Sequence, residues 1–124
     1  MVEKTQPTDR NVNIDFFKET VEKFIKERQW KKYHNPDNLA KAINIEAAEL
    51  LELFLFKNIE REDILGNQEL KIKISEEIAD VFIYLVSLIN TLDLDLTKIF
   101  LNKMDKNKVK YPLKEFHNGN YKKK

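Results

Sequence analysis

Apolar positions recur every three to four residues through most of the chain. Ile14, Phe17, Val21, Phe24 and Ile25, with Arg28 next on the same stripe, predict a helix over residues 14–31. In HNPDNLA, Asn35 can cap a second helix whose first turn holds Pro36, because a proline there has no N–H to lose. The pattern carries that helix to about Asn58, with Leu39, Ala42, Ile43, Leu50 and Phe54 facing inward. DILGN interrupts it around Gly66. A third helix is predicted over 68–91, and LDLDLTKIFLNKMDKN opens a fourth with Asp95 as its cap. No useful stretch alternates with period two, so the fold class is all-α, a four-helix bundle. The polar stretch 1–12 and the closing tail 118–124 are expected to be loose.

Composition narrows the function classes. A chain of 124 residues suits one domain over 1–124. Its 22 basic side chains against 21 acidic ones leave no global field that would recommend nucleic acid as a partner. There is no cysteine, which excludes disulfides, thiolate zinc sites and a cysteine nucleophile. No run approaches the roughly 20 apolar residues of a membrane span, and the first residues carry no apolar leader, so a cytoplasmic protein is expected. Two glycines and three prolines cannot build a Gly-rich phosphate loop, so phosphate chemistry would need another device.

That device is offered by the two central helices. INIEAAELLELF carries Glu46 and Glu49, and SEEIADVFIYLV carries Glu77 and Asp80. Each pair is spaced i, i+3, which puts both carboxylates on one helix face. Solvated acids at this spacing are common in charged helices. Two such pairs packed against each other, however, would gather four negative charges that repel unless hard cations lie between them. Ala47, Ala48 and Ala79 beside the pairs permit close approach. Seven residues on from Glu49 and from Glu77, the same stripes reach Phe56 and Tyr84, an aromatic wall after each pair. A di-iron bundle would want Glu-x-x-His, and neither His34 nor His117 follows a glutamate at that distance. With oxygen ligands alone, Mg²⁺ is expected, with Mn²⁺ as a substitute.

In this order, ERQWKKYHNPDNLAKAI, EAAELLELFLF, EEIADVFIYL, LDLDL and KMDKNKVKYP resemble the all-α nucleoside triphosphate pyrophosphohydrolases of the MazG-like group, most of all the short dCTP pyrophosphatases. The resemblance runs from about Phe17 to Tyr121 and matches the group's ExxE…ExxD signature at Glu46, Glu49, Glu77 and Asp80. It implies that these acids hold Mg²⁺ on a nucleotide's phosphates, that Glu46 or Glu49 is the general base, and that the products are a nucleoside monophosphate and pyrophosphate. It further implies phosphate contacts from Lys103, Asn107, Lys110 and Tyr111, and base contacts from Trp30, Phe56 and Tyr84, with dCTP or a related pyrimidine nucleotide as substrate. Without the resemblance, the lysines read as a solvated helix end and Trp30 equally as a core or interface anchor. One departure stands out: ELFLF ends in Phe56 where similar enzymes carry tryptophan. His34, in YHNP, reads as a structural loop residue.

Helix one shows more apolar surface, at Phe16, Phe24 and Trp30, than a small bundle covers, and the resemblance implies a homotetramer, or else a homodimer. The alternative function class is a non-catalytic helical nucleotide-binding or regulatory protein in which the acids are solvated or hold a structural ion. Retention of all four acids favours the enzyme.

Overall fold

The computed structural model describes residues 5–124. Six α-helices form among them: α1 Ile14–Glu27, α2 Pro36–Glu52, α3 Arg61–Leu65, α4 Gln68–Thr91, α5 Leu96–Lys110 and α6 Leu113–Phe116, with one 3₁₀ turn at Lys31–Tyr33. No strand occurs among the described residues. The chain divides into two compact units, one ending at Asp93 and the other running from Leu94 to Lys124.

In the first unit α4 is the central element, packing most extensively on α2 and also on α1 and α3. The expected caps form: Asn35 Oδ1 accepts from the Asn38 amide at 2.9 Å, directly before Pro36, and Asn13 and Asn67 do the same for α1 and α4. Between α1 and α4 lies a cluster of Val21, Ile25 and Val86, flanked by Phe17 and Phe82 meeting edge-to-face at 5.4 Å. Asn90 ties the pair further by donating to the Lys18 carbonyl at 3.0 Å. Leu39, at 1% exposed, anchors the start of α2.

Two helix ends differ from the sequence reading. The first helix stops at Glu27 rather than 31, because Gln29 enters the left-handed region at φ 56. The Trp30 amide then reaches back to the Ile25 carbonyl at 3.0 Å and the Gln29 amide to Lys26 at 3.1 Å, a Schellman ending whose usual glycine is replaced by glutamine. Trp30 closes it by packing edge-on to Phe24 at 5.9 Å, while Arg28 lies 3.7 Å over the other ring's centre. The second helix stops at Glu52, not Asn58. From Leu53 to Leu55 the amides bond three residues back, and Phe56 sits at φ 57. No glycine or proline announces this ending. It lets Leu53 and Phe54 stay half-buried while the chain turns back so that α3 can pack on α4.

The polar N-terminal segment lies partly outside the described residues. From residue 5 on, Asn11 closes a turn by accepting from the Thr8 amide at 2.7 Å and donating to the Gln6 carbonyl at 3.0 Å.

The second unit begins as the sequence predicts, with Asp95 Oδ1 accepting from the Lys98 amide at 2.9 Å at the head of α5. Its tail makes contacts with α5 and α6. The Lys124 amide donates to the Tyr111 hydroxyl at 2.8 Å and its ammonium pairs with Glu115 at 2.8 Å, beside the Tyr111–Phe116 ring contact. Among the described residues, no helix is long and apolar enough to cross a membrane.

The strained ending of α1 generates a prediction. A non-glycine residue in the left-handed region costs about 1–2 kcal/mol, against about 0.5–1 kcal/mol for the extra unfolded-state freedom of glycine. Gln29→Gly is therefore expected to raise Tm by a few degrees in a thermal melt, and a lowered Tm would show that the Gln29 side chain stabilises the turn.

Candidate functional site

On α2, Leu39, Ala42, Glu46 and Glu49 follow one another three or four residues apart; on α4, Glu77, Asp80, Tyr84, Ser87 and Thr91 do the same. His34, just before α2, meets the C-terminal part of α4, whereas Glu46 meets Glu77 and Asp80. The two helices therefore run antiparallel with these stripes facing.

The acids converge. One carboxylate oxygen from each of Glu46, Glu77 and Asp80 lies within 4.8 Å of the other two. Glu49 joins them, close enough to Glu46 and Glu77 to disfavour ionisation of both. Burial first, then Glu49, Asp80 and Glu77, push Glu46 from the ordinary 4.5 up to about 7. Glu77 is also raised, by desolvation and then by Glu49 and Asp80. No lysine or arginine forms an ion pair with any of the four among the described residues. Glu46 Oε2 and Glu77 Oε2 are buried without a hydrogen-bond donor. A buried carboxylate oxygen with no donor takes a proton or a cation. Three converging carboxylates, two of which carry an oxygen without a donor, fit a hard divalent ion.

The other residues singled out by the sequence fall in several places. Tyr84 stays on the α4 stripe one turn beyond Asp80, as predicted. Phe56 does not stay on the α2 stripe, because the helix has ended; its ring is 98% exposed. Trp30 is 42% exposed and packs on Phe24. Lys103, Asn107 and Lys110 lie on α5, four and three residues apart, with Tyr111 as its C-cap, all in the second unit. There Lys110 stands 5.7 Å from the centre of the Tyr111 ring. His117 only contacts the Lys114 carbonyl, at 3.2 Å.

The sequence did not single out Ser87 and Thr91. Ser87 is 2% exposed, and its Oγ is hydrogen-bonded to His34 Nδ1 at 2.8 Å. Thr91 Oγ1 lies 2.8 Å from the Ser87 carbonyl and 3.2 Å from that of His34. The His34 ring stacks on Tyr84, centroids 6.0 Å apart and planes 22° from parallel. Burial lowers the His34 pKa below the ordinary 6.5, disfavouring the charged ring. A cleft of about 810 Å³ beside α1 is lined by His34, Ser87, Asn90 and Thr91 together with α1 lysines and glutamates, and contains none of the four acids. The available signal for Ser87 and Thr91 was their place on the stripe that begins at Glu77.

The description of the MazG-like family matches residues 41–124, which include all four acids. The chain belongs to the MazG-like family. As a MazG-like protein it is similar to dCTP pyrophosphatase 1 of Rattus norvegicus, 37% identical over 91 residues, covering 73% of this chain and 54% of that protein. It is also similar to dCTP pyrophosphatase 1 of Homo sapiens, 39% identical over 90 residues, covering 72% and 53%. The chain thus spans about half the length of these relatives. Among solved structures, a pyrophosphatase from Archaeoglobus fulgidus superimposes with a TM-score of 0.72 at 34% identity, covering 89% of this chain and 99% of that one. The all-α fold expected from the sequence is therefore that of a known pyrophosphatase structure.

The acid cluster makes stability depend on pH. A carboxyl whose folded pKa exceeds its unfolded value holds its proton more tightly when folded. Its contribution is complete below the unfolded value of 4.5 and is lost as pH rises through about 7. The Tm of metal-free protein is expected to fall across that window, and Glu46→Gln, which cannot ionise, is expected to flatten the fall. An equal slope in the variant would remove Glu46 as its source.

Proposed function

We propose that this protein is a Mg²⁺-dependent nucleoside triphosphate pyrophosphohydrolase that converts dCTP or a related pyrimidine nucleotide to its monophosphate and pyrophosphate. The observation that carries this reading is the convergence of Glu46, Glu77 and Asp80, with orphaned oxygens on the first two, in a MazG-like chain similar to dCTP pyrophosphatases. A triphosphate and four carboxylates repel, so substrate binding demands cations between them. When bound, Mg²⁺ would neutralise the phosphates and stabilise the charge that develops on their oxygens; Mn²⁺ would serve similarly. Glu46, Glu77 and Asp80 would hold it.

We assign the general base to Glu49, because it is exposed and is not among the three acids whose oxygens converge. Its carboxylate takes a proton from the attacking water as the oxygen bonds to the α-phosphorus and the α–β bridging oxygen leaves with pyrophosphate. Lys103, Asn107, Lys110 and Tyr111 supply phosphate contacts in this reading. Trp30 and Tyr84 wall the base. The substrate would come from the cytoplasmic nucleotide pool.

Assembly follows from uncovered apolar surface. Phe24 is 47% exposed even beneath Trp30 and Arg28, and Leu51 is 69%, Leu55 56% and Phe56 98% exposed. A homotetramer, or a homodimer, would bury part of this surface. In this reading Phe56 reaches a base pocket across such an interface.

Three measurements test this reading. With Mg²⁺ and a panel of eight ribo- and deoxyribonucleoside triphosphates, pyrophosphate release is expected to be fastest with dCTP; release of inorganic phosphate instead, or silence, would sink the reaction assigned. Asp80→Asn keeps the side-chain volume and removes a ligand charge, so turnover should fall by at least about a hundredfold, the scale of losing an outer metal partner. Mg²⁺ at about 100 times its Kd should add roughly 2.7 kcal/mol of stability in wild type and much less in that variant. For assembly, light scattering should give a dimer or tetramer mass, and Phe56→Glu should shift it downward; a wild-type monomer at micromolar concentration would defeat the interface.

A further inference from the structure

We propose that His34 is a positioning residue for the base wall: held by Ser87 and Thr91, its imidazole backs the Tyr84 ring and ties it to the turn that carries Trp30. This rests on the reading that Tyr84 and Trp30 border the base.

Three consecutive positions of one α4 stripe receive His34. Tyr84 takes the face of its ring, Ser87 takes Nδ1, and Thr91 reaches its carbonyl. Ser87 is almost wholly buried, so the His34 contact satisfies a hydroxyl that would otherwise be costly to bury. The ring is fixed in plane by that bond and stacked on the phenol within the distance at which aromatic pairs attract. A phenol has two faces. With the imidazole against one, Tyr84 is held in a single orientation and its other face is the one a base would use.

The same residue reaches Trp30 through the backbone. The His34 amide bonds to the Trp30 carbonyl at 3.3 Å and to that of Lys31 at 3.1 Å, closing the 3₁₀ turn. The Schellman ending of α1 fixes Trp30 from the other side. His34 is thus the point at which the turn bearing Trp30 is fastened to the helix bearing Tyr84.

Its distance from the acids sets its role. Ser87 lies seven residues beyond Asp80, or about 10 Å along the helix axis, so a group anchored there acts on the base end of a nucleotide and not on its phosphates.

The test is steady-state kinetics with Mg²⁺ and dCTP, alongside thermal melts. His34→Ala is expected to raise KM about three- to tenfold, the factor an aromatic pair is worth, with kcat within about twofold of wild type. Ser87→Ala, which releases the ring without removing it, should raise KM less and in the same direction, and it supplies the measurement if His34→Ala does not fold. His34→Asn can still bond to Ser87 but has no ring, so it should restore Tm while leaving KM high. In a Tyr84→Ala background, which itself raises KM, His34→Ala should add nothing.

Recovery of KM together with Tm in His34→Asn would reduce His34 to a structural anchor and overturn the proposal, as would additive effects in the double variant or a loss confined to kcat. An unchanged KM in Tyr84→Ala alone is a different result: it would show that Tyr84 does not border the base, and that reading would fall first, taking the positioning role with it.

Discussion

Glu46 and Glu49 on one helix are held against Glu77 and Asp80 on another with no ion pair to a lysine or arginine among the described residues, and the rest of the first unit is arranged to tolerate that repulsion. The force that brings the acids together is apolar packing elsewhere on α4. Val21 and Ile25 of α1 cover Val86, Phe17 meets Phe82, and Leu39 closes the beginning of α2. Burial of such side chains is worth about 1.5–3 kcal/mol each, enough in sum to impose an unfavourable electrostatic arrangement locally. A site that is destabilising when empty is favourable to a cation for the same reason, since each charge introduced relieves several repulsions at once.

Tyr84, Ser87 and Thr91 extend the acidic stripe of α4 by two further turns, changing its chemistry from carboxylate to aromatic to hydroxyl. A single unbroken helix thereby lays out, in order, groups suited to cations, to a flat ring, and to anchoring a neighbouring turn. The His34 network is the counterpart of the acid cluster. Its polar groups are paired, and it ties the α1–α2 connection to α4, whereas the acid cluster leaves two oxygens without donors. Satisfied polar contacts rigidify a site, and unsatisfied ones mark where a ligand belongs.

Three connections pass through left-handed residues that are not glycine, one of them at Asp93 after α4. Gln29 ends α1 and points the chain toward Trp30; Phe56 ends the turns after α2 with its ring in solvent. An aromatic ring 98% exposed at a strained backbone position has no explanation within one chain, and it adjoins Leu51 and Leu55, which are also exposed. The apolar surface of the α2 end therefore belongs to the same problem as that of α1 at Phe24 and Trp30: too little chain to cover it.

What the sequence by itself determined was local. Asn35 before Pro36 and Asp95 before Leu96 begin helices because a side-chain oxygen two or three residues from an orphan amide needs no tertiary contact to bond it. The i, i+3 spacing of each acid pair is likewise a property of one helix, so the four carboxylates could be named before any fold was known. Tyr84 kept its predicted place because α4 runs unbroken through it. Phe56 lost its place because nothing in LELFLF forbids a further helical turn; the ending is chosen by the need to bring α3 onto α4. Ser87 and His34 are separated by 53 residues, and a serine in a helix or a histidine in a loop announces no partner. Only the antiparallel packing of α2 on α4 decided that these two would meet, and that Glu46 would face Glu77 and Asp80 across a gap narrow enough to need a cation, because such contacts depend on which faces are buried together rather than on the residues near them in the chain.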